Sequence, residues 1–305
     1  MDEGNVGRRD LVQNVLARSV LKIALLMPYR LRLAFMGKVI AYVVAPYAGW
    51  NRRTADNLSL VMPDLSKPER RRIIRQVSDN VGRTLVEIYS GEDFIDRARS
   101  SRLEGPGIAA LEAARAAGRP IILATAHLGN YDAVRGKLSR EGYSIGALYR
   151  PMQNEKFNRH YVEAISNVAS PVFPASARGF TGLMRHLKGG GVVGIVMDVA
   201  KTKTPVLTFF GAPAHTPLSA AEWALKYDAV LIPVFGIRQD DGLSFKIQVE
   251  EPLEHSTPEA MMQAYNDVVE AVVRRHPEQW FWIHRRWKLS PGAREKLSAT
   301  APLQA

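Results

Sequence analysis

Pro120-Ile121-Ile122-Leu123-Ala124-Thr125-Ala126-His127-Leu128-Gly129-Asn130-Tyr131-Asp132 runs from an apolar segment through a histidine and a short turn to a carboxylate. Ile121 to Ala126 reads as a buried strand, and Pro120 is tolerated at its first position. Gly129-Asn130 reads as a turn, and Asp132-Ala133-Val134 as the start of a helix. Residues five apart on one helix lie about 140° apart around its axis, so His127 and Asp132 cannot meet on a shared helix. The expected arrangement places His127 before the helix, with Asp132 reaching back from the first turn. One imidazole nitrogen is then held by the carboxylate and the other is free to take a proton. With seven histidines and 30 acidic residues in 305 positions, roughly one such spacing is expected by chance. A structural histidine therefore fits the spacing too; the strand-to-turn setting is what favours a base. The chain has no cysteine and no Gly-x-Ser-x-Gly elbow. A base without a nucleophile of its own points to a hydroxyl on the substrate.

Outward from this stretch, short apolar runs recur at Ser144–Tyr149, Val192–Met197 and Val230–Phe235, with helical segments at Glu155–Val168, Arg178–Leu187 and Ala220–Lys226. The alternation predicts an α/β fold: a central, mostly parallel sheet flanked by helices. Ser244–Val249 alternates as a half-exposed edge strand does. Gly107–Ala117 is Ala-rich and helical. Ser66 with Glu69 forms a capping box before a helix carrying Ile73, Ile74, Val77, Val81 and Leu85 on one side. Thr257 followed by Pro258 starts another helix, through Val273.

At 305 residues the chain can bury a substantial core. The absence of cysteine excludes disulfides and thiolate metal sites, and no metal site is expected. A net charge of +11 favours an anionic partner. Leu11 to Tyr47 is apolar but broken by Arg18, Lys22, Arg30, Arg32 and Lys38, with no charge-free run of spanning length. No signal-peptide cleavage site follows it, and the mixture suits helices lying in a membrane interface, with an ordinary packed amphipathic helix or a tilted anchor around Val39–Ala48 as the alternatives. The expected regions are N-terminal membrane-associated helices at 1–50, an α/β domain at 51–290 and a polar tail at 291–305.

The motifs together resemble the late acyltransferases of bacterial lipid A biosynthesis (the lauroyl/myristoyl type), within the glycerolipid acyltransferase superfamily. They run in order: Arg53 to Pro63 with Pro68-Glu69-Arg70, Gly118 to His127-Leu-Gly-Asn-Tyr-Asp132, and Leu148-Tyr-Arg-Pro151 with Asn154. Leu183 to Gly191, Asp198, and Phe209-Phe-Gly211 with Ala214 and Thr216 follow, then Pro277 to Lys288. The resemblance implies transfer of a fatty acyl chain from acyl carrier protein, with coenzyme A as the alternative carrier, to a hydroxyl of a lipid A precursor. It implies no cofactor, and a location at the cytoplasmic face of the cell inner membrane. His127 and Asp132 fall on the family's His-x4-acid motif, as base and orienting carboxylate. Arg150 falls on its Tyr-Arg-Pro segment and Asp198 on its Asp-Gln position, both implied to bind substrate. Two departures stand out: Tyr131-Asp132 replaces the common Trp-Glu, and Val199 follows Asp198 where Gln is usual.

Two other readings stay open. One is acylation of another membrane acceptor, a phosphoinositide mannoside or a lysophospholipid. The other is a non-catalytic basic membrane-binding module. The aromatic and cationic run Trp280-Phe-Trp-Ile-His-Arg-Arg-Trp-Lys288 suits a lipid headgroup layer or stacked nucleotides, and His284 with Arg285 and Arg286 is expected to be structural or electrostatic. No RNA-recognition, zinc-finger or homeodomain signature is present, so nucleic acid is not an expected partner.

Overall fold

The computed structural model describes residues 18–152 and 154–292; from residue 293 on, the expected tail lies outside the described residues. The chain opens with α1 (18–25) and α2 (Tyr29–Lys38), a π-helical turn (Val39–Val44), α3 (Ala45–Tyr47) and α4 (Trp50–Val61). Then come α5 (Lys67–Ile88) and α6 (Glu92–Arg99). The α/β portion follows as β1 (Arg102–Glu104), α7 (Ile108–Ala116), β2 (Ile121–Thr125), α8 (Tyr131–Arg140), β3 (Ile145–Tyr149) and α9 (Glu155–Val168). It continues through β4 (Val172–Pro174), α10 (Ala177–Lys188), β5 (Val192–Val196), the hairpin β6 (Val206–Phe209) and β7 (Ala212–His215), and α11 (Ser219–Tyr227). The closing elements are β8 (Val230–Arg238), β9 (Phe245–Val249) and α12 (Pro258–Arg275).

Seven strands form one sheet in the order β1-β9-β8-β2-β5-β3-β4, parallel except for the β8–β9 pair. Helices cover both faces, as the buried, non-alternating run of β2 requires. The expected α/β sheet is therefore present. Ser244–Val249 is not an edge, however. β1 pairs with its outer side, and a three-residue strand is too short to announce itself in sequence. The capping box at Ser66 and Glu69 forms, and Thr257 caps α12.

The N-terminal helices are part of the packing. Leu21, Ala24, Tyr29, Leu33 and Met36 share a core with Val86, Phe94, Leu111 and Ile121. Gly37 on α2 and Gly82 on α5 let these helices touch through their backbones, since a Cβ at either would overlap Asp79 or Met36. Arg32 is buried, donating to the carbonyls of Leu25 and Met27 and to Asp93. Among the described residues no single helix is long and apolar enough to cross a membrane. The bent pair Tyr29–Tyr47 and Trp50–Val61, at 84°, meets length and composition only together.

Candidate active site

β2 and β5 are neighbours in a register that pairs Thr125 with Val196, so His127 and Asp198 sit at equivalent positions, two residues past their strand ends. The Met197 N–H donates to the Thr125 carbonyl, continuing the ladder, and the Asp198 carboxylate closes on the histidine. Its Oδ1 accepts from His127 Nδ1 at 2.8 Å; its Oδ2 accepts from the His127 backbone N–H at 2.9 Å and from Trp280 Nε1 at 2.8 Å. Asp198 is buried. Burial alone would raise its pKa, but the adjacent His127 charge and hydrogen bonds, helped by His284, hold it well below the usual carboxylate range. An ionised carboxylate can only accept, so Nδ1 carries a proton, and in the neutral imidazole Nε2 keeps the lone pair.

Asp132 stands elsewhere. It lies in the first turn of α8, as expected, and its own N–H is capped by Asn130. Its carboxylate is turned to Arg135, one turn on, at 2.6 Å, and Arg135 in turn donates to the Ile165 and Ala169 carbonyls at the end of α9. The expected contact from Asp132 back to His127 is replaced by the one from Asp198. A carboxylate in the first turn of α8 has a guanidinium within reach on its own helix, and pairing with it avoids a bare buried charge. Asp132→Asn is therefore expected to act mainly through stability, at about 3–5 kcal/mol for breaking a buried pair. Urea unfolding checks the loss; an unchanged midpoint would mean that the Asp132–Arg135 pair contributes nothing to the fold.

The turn between His127 and α8 is held on every side. Gly129 has φ +56°, and its position leaves no room for a Cβ against the Gly236 carbonyl. The Gly129 carbonyl accepts from Asn80 and Thr84 of α5, and its N–H donates to the Gln279 carbonyl. Asn130 donates to Glu87, which is fully buried and paired with Arg238 of β8. The His127 carbonyl accepts from the Phe281 N–H. β8, α5 and the C-terminal segment thus fix the histidine together.

That C-terminal segment also supplies a residue that sequence reasoning left out of the site. His284 Nε2 lies 3.3 Å from His127 Nδ1, with Phe281 packed against both rings. Because the His127 Nδ1 proton is shared with Asp198, His284 Nε2 is on the accepting side, and its own proton is on Nδ1. Burial, opposed in part by Asp198, pushes the His284 pKa down to about 4. A depressed histidine contributes stability in its neutral form, fully present above its ordinary value of 6.5 and lost as pH falls towards about 4. Asp198 adds its loss only below its ordinary 3.8. The melting temperature is thus expected to fall between pH 6.5 and 4, and His284→Phe to flatten that limb; an equal slope in both proteins would defeat the assignment. The aromatic run around His284 is core, not surface. Trp280 and Trp282 are fully buried and cluster with Phe209, Phe210 and Trp287. Arg286 is buried as well, bonded to His215, Thr216 and Asn266.

His127, with a side chain 28% exposed, opens onto a cavity of about 710 Å³ between the sheet and helices α8 and α9. Leu123, Ile145, Ile165, Val172 and Val234 make much of its wall apolar, while Tyr131, Asp132, Arg135 and Tyr161 add polar groups. Arg150 also lines it, exposed just past the end of β3. Lys201 and Lys203 are exposed on the loop after β5. The placement at the carboxyl ends of parallel strands is where α/β sheets bind ligands.

A histidine oriented by a buried carboxylate beside a largely apolar cavity is an arrangement that can serve as a general base. Residues 10–289 match the family described as bacterial lipid A biosynthesis acyltransferase, and the chain belongs to it. It is 26% identical over 242 residues to the lipid A biosynthesis lauroyltransferase of Escherichia coli K12, covering 77% of this chain and 78% of that one. Against the lipid A biosynthesis palmitoleoyltransferase of the same organism, identity is 24% over 278 residues, 89% of each chain. The phosphatidylinositol mannoside acyltransferase of Mycobacterium tuberculosis is 25% identical over 197 residues, 63% of this chain and 62% of that one.

Proposed function

We propose that this acyltransferase moves a fatty acyl chain from acyl carrier protein to a hydroxyl of a lipid A precursor, at the cytoplasmic face of the inner membrane. The observation that carries the reading is the join between the His127–Asp198 pair and the largely apolar cavity. In this scheme the acyl chain lies in the cavity with its thioester carbonyl at the mouth. His127 Nε2 takes the proton of the acceptor hydroxyl as that oxygen adds to the carbonyl carbon, and Asp198 stabilises the imidazolium. The tetrahedral oxyanion collapses, the C–S bond breaks, and the departing thiolate takes the proton back from His127. Arg150 at the mouth supplies a cation for the oxyanion or for an acceptor phosphate. The single experiment is mass spectrometry of lipid A from cells with and without the gene. A difference of one acyl chain supports the reading; identical lipid A defeats it. The mycobacterial relative motivates the second reading, a mannosylated phosphoinositide acceptor, and purified acceptors separate the two.

Membrane association rests on a different observation. Tyr42, Val43 and Tyr47 are exposed, Tyr47 by 91%, and so are Ile23, Leu26 and Leu31 beside the exposed cations Lys22, Arg30 and Lys38. This surface adjoins the site: Trp50 packs on Phe281, which packs on His127. Apolar and cationic side chains mixed in this way suit an anionic interface. The triple variant Tyr42→Ser, Val43→Ser, Tyr47→Ser is expected to bind anionic vesicles several-fold more weakly with little change in melting. Wild-type binding should weaken with salt. Co-sedimentation measures both, and equal binding by the variant would sink this placement.

A further inference from the structure

The register of the sheet shows where the cavity gets its depth. Leu123, Gly194, Ala147 and Val172 lie in one row across β2, β5, β3 and β4, on the face that floors the cavity. The row nearer the mouth contains Thr125 and Val196, and the row beyond contains Val192 and Ile145. The floor is thus lowest at two adjacent small residues. His127 is four residues past Leu123, which puts this row about 13 Å below the histidine at about 3.3 Å per strand residue.

Gly194 has no backbone or packing reason to be glycine. A Cβ there would meet Ile145 Cγ2 at 3.5 Å and the Gly146 carbonyl at 4.0 Å, both ordinary contacts. Gly146 and Gly191 differ, since a Cβ on either would press into the His186 ring, and one on Gly236 would press into the Asn130 carbonyl. A strand-interior glycine forfeits side-chain packing and often marks close approach of a ligand. Here the space it leaves is cavity.

We propose that Gly194, with Ala147 beside it, sets the depth of the cavity and hence the longest acyl chain it holds. The proposal rests on the reading of the cavity as the acyl site. Side-chain atoms at Gly194 would occupy the volume of the chain's terminal carbons. Each excluded methylene is worth about 10-fold or more in selectivity.

The test compares the full-length protein with Gly194→Ala, Gly194→Leu and Ala147→Val. One readout is kcat/KM with acyl carrier protein thioesters from octanoyl to palmitoyl; the other is competition of the matching free fatty acids against a fluorescent fatty acid. Gly194→Leu is expected to lower the palmitoyl-to-octanoyl ratio at least about tenfold in both readouts. Gly194→Ala and Ala147→Val should shift it less, in the same direction, and carry the test if the leucine variant does not fold. An unchanged ratio in folded variants overturns the proposal, and so does an equal loss at every chain length. A wild-type protein that turns over no thioester would sink the acyl-transfer reading instead, while the fatty-acid competition still reports the depth.

Discussion

His127→Ala is expected to lower the acyl-transfer rate by about 10²–10⁴, the usual contribution of a positioned general base, while the protein melts close to the wild-type temperature. The fold is spared because the turn is held by main-chain groups that survive the substitution. The residue 127 N–H still reaches Asp198 and its carbonyl still accepts from Phe281. Asp198 keeps two of its three donors, this N–H and Trp280 Nε1. Single-turnover kinetics with an acyl thioester, beside a thermal melt, measure the two quantities together. A folded variant that transfers acyl chains at nearly the normal rate would reduce His127 to a structural residue and leave the family membership without this mechanism.

The second expectation separates the two carboxylates. In Asp198→Asn the side-chain oxygen is claimed by the His127 N–H and Trp280 Nε1, which can only donate. The amide NH2 must then face His127 Nδ1 and donate to it. That forces the ring proton onto Nε2 and removes the lone pair that the proposed reaction uses. The same tautomer error in a serine protease triad costs about 10⁴ in kcat, and a loss of about 10³–10⁴ is expected here with little change in folding. Asp132→Asn, measured at a temperature where it is folded, should be far milder in rate. If Asp132→Asn proves the more damaging in kcat and Asp198→Asn loses less than tenfold, the orienting role returns to Asp132.

Much of the architecture was legible because it is encoded locally. The β2, β3, β5 and β8 strands appear as short apolar runs, the helix over Glu155–Val168 matches its expected bounds, and the caps at Ser66 and Thr257 form from residues three apart. The position of His127, just past a buried strand and before a helix, was legible for the same reason. Its partners were not. Asp198 is 71 residues away and His284 is 157 away. One signal was available in retrospect: His127 and Asp198 each follow a buried run of similar length, as they would on neighbouring strands in register. No periodicity says that β2 and β5 are neighbours, however, because the apolar pattern of a strand records that both faces are covered, not which strand lies beside it. Local sequence pattern encoded the longer helices and the buried strands, the strand-end histidine and the helix-start carboxylate. Tertiary structure decided which carboxylate holds the histidine, buried the tryptophans that read as surface aromatics, and placed Gly194 on a cavity floor. These outcomes depend on strand order and on charges finding partners when desolvated, both settled only when distant segments meet.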